Sequence, residues 1–183
     1  MELSLTEQDK RILIETARAA IGARLAFQVP RCPEPTDALR APCGAFVTLK
    51  KGGALRGCIG HIAASRPLFE TVREVAVSSA FEDPRFPPLE KQEWSGIRIE
   101  ISVLSPFEKI TDMGLIRVGT HGIMIRRGYR SGLLLPQVAT EQGWDRDTFL
   151  THACFKAGLP ADAWKSPDAN IEIFSAIVFG EEQ

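Results

Sequence analysis

The chain has 183 residues, with 22 basic and 23 acidic side chains and a formal net charge of −1 at neutral pH. That balance excludes a general attraction to nucleic acid or to anionic membranes, while leaving room for local patches. Apolar residues make up 44% and charged residues 25%, as in an ordinary globular protein, and no apolar run approaches the roughly 20 residues needed to span a bilayer.

The length fits one domain, or one domain with a smaller lobe. Met1-Glu2-Leu3-Ser4 has neither the basic region nor the apolar core of a signal peptide, so the expectation is a cytoplasmic protein. Four cysteines, Cys32, Cys43, Cys58 and Cys154, are scattered without a CxxC pair and are expected to be free thiols.

In chain order, Ser4 with Glu7 reads as a capping box that opens a helix near Leu5. Leu13, Ala17, Ala20, Ile21 and Leu25 follow at helical spacing and form a packing face. Residues 28–42 carry Pro30, Pro33, Pro35 and Pro42, which excludes a continuous helix or a central strand; an ordered connection is predicted. Ala45–Leu49 and Ala54–Ile59 are β-prone runs around Lys51-Gly52-Gly53, the pattern of a hairpin. A second helix is predicted to start around Ser65-Arg66-Pro67 and to bury Leu68, Val72, Val75, Ala76 and Ser79. Three prolines make Phe81–Leu89 a held loop, with Phe86 and Leu89 inward and Glu82-Asp83 placed for local ion pairs with Arg85.

Ile97–Val103 alternates Ile97, Ile99, Ile101 and Val103 with Arg98, Glu100 and Ser102, a strand with one core face and one polar face turned to solvent or to a cleft, the solvated face being the plainer reading. The segment Ile110–Thr120 is ambiguous. Gly122–Arg126 and Ser131–Leu135 form a second hairpin around Arg127-Gly128-Tyr129-Arg130. A short helix over Gln137–Gln142 and another from Arg146 or Asp147 to about Ala157, capped by Asp145 and ended by Gly158 and Pro160, precede a last strand over Ile171–Phe179 and a polar tail. There is no regular β-α-β alternation. The pattern is α+β, with a mixed or mostly antiparallel sheet and flanking helices.

The stretch Leu55-Arg56-Gly57-Cys58-Ile59-Gly60-His61 concentrates chemistry. Glycine on both sides of a cysteine in a strand gives up side-chain packing for close backbone approach or unusual dihedrals. Two readings stand side by side: a strand with a buried structural thiol, or a site in which Cys58 is nucleophile or redox thiol and Arg56 stabilises an anionic group. A Cys58–His61 pair is also conceivable, and a zinc set from Cys58, His61, His152 and Cys154 can be drawn. The usual zinc spacing is absent, and no metal site is expected. No GxGxxG, P-loop or GxSxG signature occurs. Arg126, Arg127 and Arg130 with Tyr129 suggest a basic tip for RNA or a phosphorylated ligand, against the plainer reading of a solvated turn.

Four blocks carry a resemblance to a known family: LRGCIG at Leu55–Gly60, DPRFPPL at Asp83–Leu89, IEISVLSPFE at Ile99–Glu108, and LLPQVATEQGWDRDTFLTHACFKAGLP at Leu134–Pro160. With these the chain resembles the AMMECR-one domain proteins from about Gly44 to Phe179. The resemblance implies a single AMMECR-type domain over residues 1–183, built from two unequal lobes, with the LRGCIG stretch at a cleft between them. It implies the A component of the three-part AmmeMemoRadiSam grouping, beside a Memo-like protein and a radical S-adenosylmethionine protein. It supplies no settled activity and no cofactor. Arg56, Gly57, Cys58 and Gly60 match the signature, and Arg85, Gln137 and Trp144 fall in matching blocks as candidate cleft residues. His61, also a candidate, departs from what relatives carry after the motif, which weakens the Cys–His schemes. The functional expectation is an enzyme or enzyme component acting on a small or modified substrate. A non-catalytic partner- or substrate-binding module is the alternative, and nucleic-acid binding a weaker one.

Overall fold

A computed structural model describes residues 4–181 of the chain. Residues 1–3, part of the stretch on which the signal-peptide expectation rests, and residues 182–183 of the polar tail lie outside the described residues. The chain divides into two compact units, one comprising residues up to Leu104 together with those from Ile177 onward, the other Ser105–Ala176.

In the first unit, helix α1 spans Glu7–Leu25. Its N-cap is Thr6, two residues beyond the predicted Ser4: the Asp9 N–H donates to Thr6 Oγ1 (3.1 Å) and the Thr6 N–H to Asp9 Oδ2 (2.9 Å). Asp9 wins because its carboxylate also accepts from the Thr36 hydroxyl (2.6 Å), which ties the proline-rich connection to the helix start. That connection holds one short 3-10 turn, Ala38–Arg40.

Strands β1 (Ala45–Lys51) and β2 (Ala54–His61) form the expected hairpin. Both turn glycines, Gly52 and Gly53, have positive φ (57° and 81°), the backbone that a two-residue turn of this hand requires. Helix α2 (Leu68–Phe81) follows, then a loop, a 3-10 segment over Lys91–Gly96, and strand β3 (Ile97–Leu104). β1 lies between β2 and β3, antiparallel to both, so β2 is an edge strand. Ala45, Val47 and Leu49 of β1 and Ile97, Ile99, Ile101 and Val103 of β3 share one face. That face is buried with Leu13, Ala17 and Ile21 of α1 and Leu68, Val72, Val75 and Ala76 of α2. The opposite face carries Phe46, Thr48, Lys50, Arg98, Glu100 and Ser102. The solvated reading of this face is wrong at Ser102, which is 1% exposed.

In the second unit, β5 (His121–Arg127) is flanked by β6 (Arg130–Leu134) on one side and on the other by residues 170–175 of the last strand, β7 (Asn170–Gly180). Strand β4 (Glu108–Ile110), antiparallel to β7, ends at the first residue of the ambiguous segment, which itself holds a 3-10 turn over Met113–Leu115. Helices α3 (Pro136–Gln142) and α4 (Arg146–Lys156) fall where the sequence puts them, α4 being capped by the Asp145 carboxylate on the Thr148 N–H (2.8 Å). Their core joins Ile123, Ile125, Phe149, Leu150, Ala153 and Ile171. Gly132 of β6 lets the backbone of α4 touch the strand, since a Cβ there would lie 2.5 Å from Ala157 N. The fold is α+β with antiparallel strands and flanking helices, and all five of the pairings just given are antiparallel.

The Gly132 contact gives a direct test. Gly132→Ala is expected to push α4 off its sheet and to destabilise the chain by about 1–3 kcal/mol, as overpacking generally does, read from a urea melt.

Candidate functional site

The motif strand β2 is held by three devices, each using a residue type the sequence singles out. The first is a register break. β2 pairs with β1 continuously from His61↔Ala45 to Gly57↔Leu49, then resumes at Leu55↔Lys50, which leaves Arg56 as an extra, unpaired residue. A bulge of this kind re-aims the side chain it carries. Arg56 lands on Glu93 of the 3-10 segment in a two-pronged ion pair, with Nε 3.1 Å from Oε1 and Nη2 2.9 Å from Oε2. Lys51 Nζ joins from 2.9 Å. The Arg56 guanidinium, and then Lys51, hold the Glu93 carboxyl down at about 2.

The second device is close approach. A Cβ at Gly57 would lie 2.1 Å from the backbone oxygen of Ser79 in α2, so only glycine lets the helix sit this near. The Ser79 hydroxyl enters the ladder itself. It accepts the Ile59 N–H (2.8 Å) and donates to the Val47 carbonyl (2.8 Å), so it bridges two residues that pair across β1 and β2. Gly60 has a different reason: the Phe46 ring lies over it, 2.3 Å from where a Cβ would be.

The third device closes the outer edge. The Cys58 N–H donates to Asp83 Oδ2 (2.9 Å), and the Cys58 carbonyl accepts from Arg85 Nη2 (3.2 Å). Asp83 and Arg85 also grip one another, Nε to Oδ1 at 2.9 Å and Nη2 to Oδ2 at 2.7 Å. The loop after α2 thus supplies with side chains the donor and acceptor that a neighbouring strand would supply with backbone. Asp83 is 4% exposed. Its carboxyl lies well below the ordinary range, chiefly through the Arg85 hydrogen bonds, which outweigh its desolvation. The same pairing raises Arg85. Of the ion pairs expected in this loop, Asp83–Arg85 forms, while Glu82 accepts from the Ser78 hydroxyl (2.7 Å) instead. Phe86 is half-buried beneath two cations, its ring centroid 5.9 Å from the Arg56 guanidinium carbon and 5.6 Å from that of Arg85.

These devices fix where the thiol goes. Gly57 faces α2, so Cys58 faces the opposite, polar side of the sheet. There it lies across from Thr48, whose hydroxyl reaches the Cys58 sulfur at 3.2 Å, and Thr48 lies across from Glu100, which pairs with Lys50 (2.8 Å). Cys58 is half-buried rather than sealed. Burial pushes the thiols of Cys32, Cys43 and Cys154 upward.

Of the other predicted residues, His61 leaves the Cys58 face. The Cys58–His61 pair does not form. Three residues along a strand put the two side chains on opposite faces, and His61 Nε2 lies on the helix side, 3.3 Å from Glu74 Oε1. Gln137 and Trp144 belong to the second unit. Gln137 Oε1 is buried with no hydrogen-bond partner, and the Trp144 indole stacks on the His152 ring (centroids 3.8 Å apart, planes 10° apart). His152 and Cys154, the other half of the drawn zinc set, lie in that unit as well, and no three His, Cys, Asp or Glu side chains converge among the described residues. At the β5–β6 tip, Arg126 faces Glu172 (3.1 Å), Arg127 binds Asp168 (2.8 Å), and Arg130 donates to the Gly158 carbonyl, so most of that basic charge is already engaged. No helix among the described residues is long and apolar enough to cross a membrane.

Sequence reasoning missed Glu93, Thr48 and the bridging role of Ser79. No local signal marks Glu93 or Thr48, because both reach the motif only through pairing in space.

Comparison with known proteins fits this layout. The AMMECR1 family model matches residues 14–179. The chain belongs to the AMMECR1 family. A family protein of Methanopyrus kandleri is 47% identical, the match covering 98% of this chain and 91% of that one, and one of Methanothermobacter thermautotrophicus is 43% identical over 97% of each. The crystal structure of an uncharacterized protein, PH0010, from Pyrococcus horikoshii matches with a TM-score of 0.90 at 39% identity, covering 97% of this chain and 94% of that one. The α+β fold is therefore the family's fold.

The clamp makes a pH prediction. The Asp83 and Glu93 carboxyls both lie below their unfolded values of roughly 4, so the stability they add is present above that pH and is lost as pH falls through their folded values. For Glu93 the window runs from about 4.5 down to about 2. Urea melts across pH 7 to 2 should show Glu93→Gln less stable than the parent at pH 7, with a flatter decline through that window.

Proposed function

We propose that this protein is an enzyme or enzyme component in which Cys58 supplies a reactive thiol for a small or modified substrate. It acts in the cytoplasm beside a Memo-like protein and a radical S-adenosylmethionine protein. The observation that carries the reading is the immobilised backbone of Cys58: its N–H and carbonyl are both tied, to Asp83 and Arg85, while among the described residues its sulfur is hydrogen-bonded only by the Thr48 hydroxyl. A thiol presented in one position on a polar face, without being sealed in apolar packing, suits chemistry better than packing does. The reactive species is the thiolate, which a hydroxyl donor stabilises as an acceptor.

Arg56, the guanidinium nearest in sequence, is closed by Glu93 and is assigned to holding the bulge. Arg85 takes over the anion-facing role. Its side chain is 55% exposed, and its Nη1 makes no hydrogen bond among the described residues. The partner grouping rests on the family resemblance.

A second reading is a non-catalytic module that binds a partner or presents a substrate. It is favoured by one observation: no His, Asp or Glu side chain hydrogen-bonds the Cys58 sulfur among the described residues, so no proton acceptor stands beside it.

Alkylation separates the readings. Iodoacetamide should label Cys58 faster than Cys43 and far faster than Cys154, and Arg85→Ala should slow it; labelling no faster than Cys43 removes the reactive thiol. For the module reading, purified Memo-like and radical S-adenosylmethionine proteins should bind the parent chain and bind Cys58→Ser or Arg85→Ala more weakly. Equal binding by both variants removes this face as the interface.

A further inference from the structure

Helix α1 ends in a turn where the Gln28 N–H donates to the Ala23 carbonyl (2.8 Å) and the Phe27 N–H to that of Arg24 (3.3 Å). A turn of this form needs one residue in the left-handed region, and glycine is the residue that takes it without strain. Here that residue is Phe27, at φ 54°, the one non-glycine with positive φ among the described residues. Nothing among the described residues packs on the ring to offset this choice. Phe27 is 97% exposed, and Val29, two residues on, is 86% exposed. A bulky aromatic in a disfavoured backbone conformation, fully wet, is unfavourable on both counts for the isolated chain.

The surroundings indicate what the ring meets. On one side of the turn is a hollow lined by Ala19, Gly22, Ala23 and Arg31; on the other is a hollow lined by Arg24, Pro30 and Arg73 with Glu74 and Glu82. Of the two carboxylates in the second hollow, Glu74 pairs with Arg66, whereas Glu82 is in no ion pair among the described residues and accepts from the Ser78 hydroxyl. Arg24, Arg31 and Arg73 are in no ion pair among the described residues. Two exposed apolar side chains therefore project from a rim in which three guanidinium groups outside any ion pair outnumber the one such carboxylate, Glu82.

We propose that the Phe27–Val29 turn is a docking knob for an acidic segment of another protein. Phe27 and Val29 fill an apolar pocket in that partner, and Arg24, Arg31 and Arg73 face its carboxylates. Aromatic and arginine side chains are the types that dominate binding energy at protein interfaces. The guanidinium rim sets the sign of the partner and a salt-dependent association rate. A second copy of this chain is disfavoured, because a two-fold contact would bring the same arginines face to face. A lipid surface is disfavoured because α1 turns its apolar face, Leu13, Ala17 and Ile21, into the core, leaving two side chains to insert. This inference stands apart from the Cys58 reading and uses none of its residues.

The substitution Phe27→Gly tests both halves of the argument. Glycine relieves the left-handed strain, so the full chain should melt about 2–4 °C higher. The parent chain, carrying a photoactivatable benzophenone at position 27 in its own cells, should cross-link to a peptide in which Asp and Glu surround apolar residues. The purified partner should then bind the parent chain with an affinity that falls with salt. Phe27→Gly and a combined R24E/R31E/R73E variant should each weaken it at least tenfold. A lower melting temperature for Phe27→Gly would overturn the proposal. So would a cross-link to this same chain, to a peptide without acidic residues or to nothing, and so would Phe27-dependent binding to phosphatidylglycerol vesicles.

Discussion

An edge strand leaves a row of backbone donors and acceptors without partners. In this protein the edge strand β2 is also the one that carries the motif cysteine, and its exposed rung is closed by the Asp83–Arg85 pair. An ion pair on an open surface contributes about 0–1 kcal/mol. This one does more because the carboxylate is 4% exposed and also takes a backbone N–H, where charged hydrogen bonds contribute about 1.5–3 kcal/mol each. The clamp joins the end of α2 to the sheet edge and sets the direction of the Cys58 side chain. It also stops a foreign strand from adding at that rung. The neighbouring prolines, Pro84, Pro87 and Pro88, suit the task, since a loop with fixed φ angles can hold two side chains in register with a strand.

Most of the motif is architecture around one free group. Gly57 exists because the Ser79 carbonyl occupies the space of its Cβ, and Gly60 because the Phe46 ring does. Arg56 is the extra residue of a bulge and is closed by Glu93. What is left over after these commitments is the Cys58 sulfur, with a single hydroxyl neighbour, and the free end of Arg85. A stretch crowded with reactive residue types thus resolves into one thiol and its scaffold. Arg56, Gly57 and Gly60 each serve the strand, and the Ile59 N–H is held by Ser79.

The two surfaces of interest differ in how they are stabilised. The Cys58 face is rigid, with backbone, glycine contacts and ion pairs all pointing to one arrangement. The Phe27 turn is the reverse, a place where local backbone preference and solvation both argue against the residue present. Conflict of that kind, in a chain whose other local choices agree with its fold, is where a requirement outside the isolated chain is expected to show itself.

The sequence by itself determined the elements and their class. Period-two alternation gave β3, apolar spacing gave α1 and α2, the paired glycines gave the β1–β2 turn, and proline and glycine punctuation gave the loops, because these signals depend on residues that are near neighbours in the chain. It also pointed to Cys58, and to Asp83 as a partner for Arg85 within one loop. Only the tertiary structure decided that Arg56 is consumed by Glu93, that His61 turns away from Cys58, that Ser102 is buried, and that Thr48 and Ser79 reach the motif. Each of those facts depends on strand register or on a contact between residues 10 to 37 positions apart, or on what covers a face, and neither register shifts nor long-range pairing leave a trace in local composition.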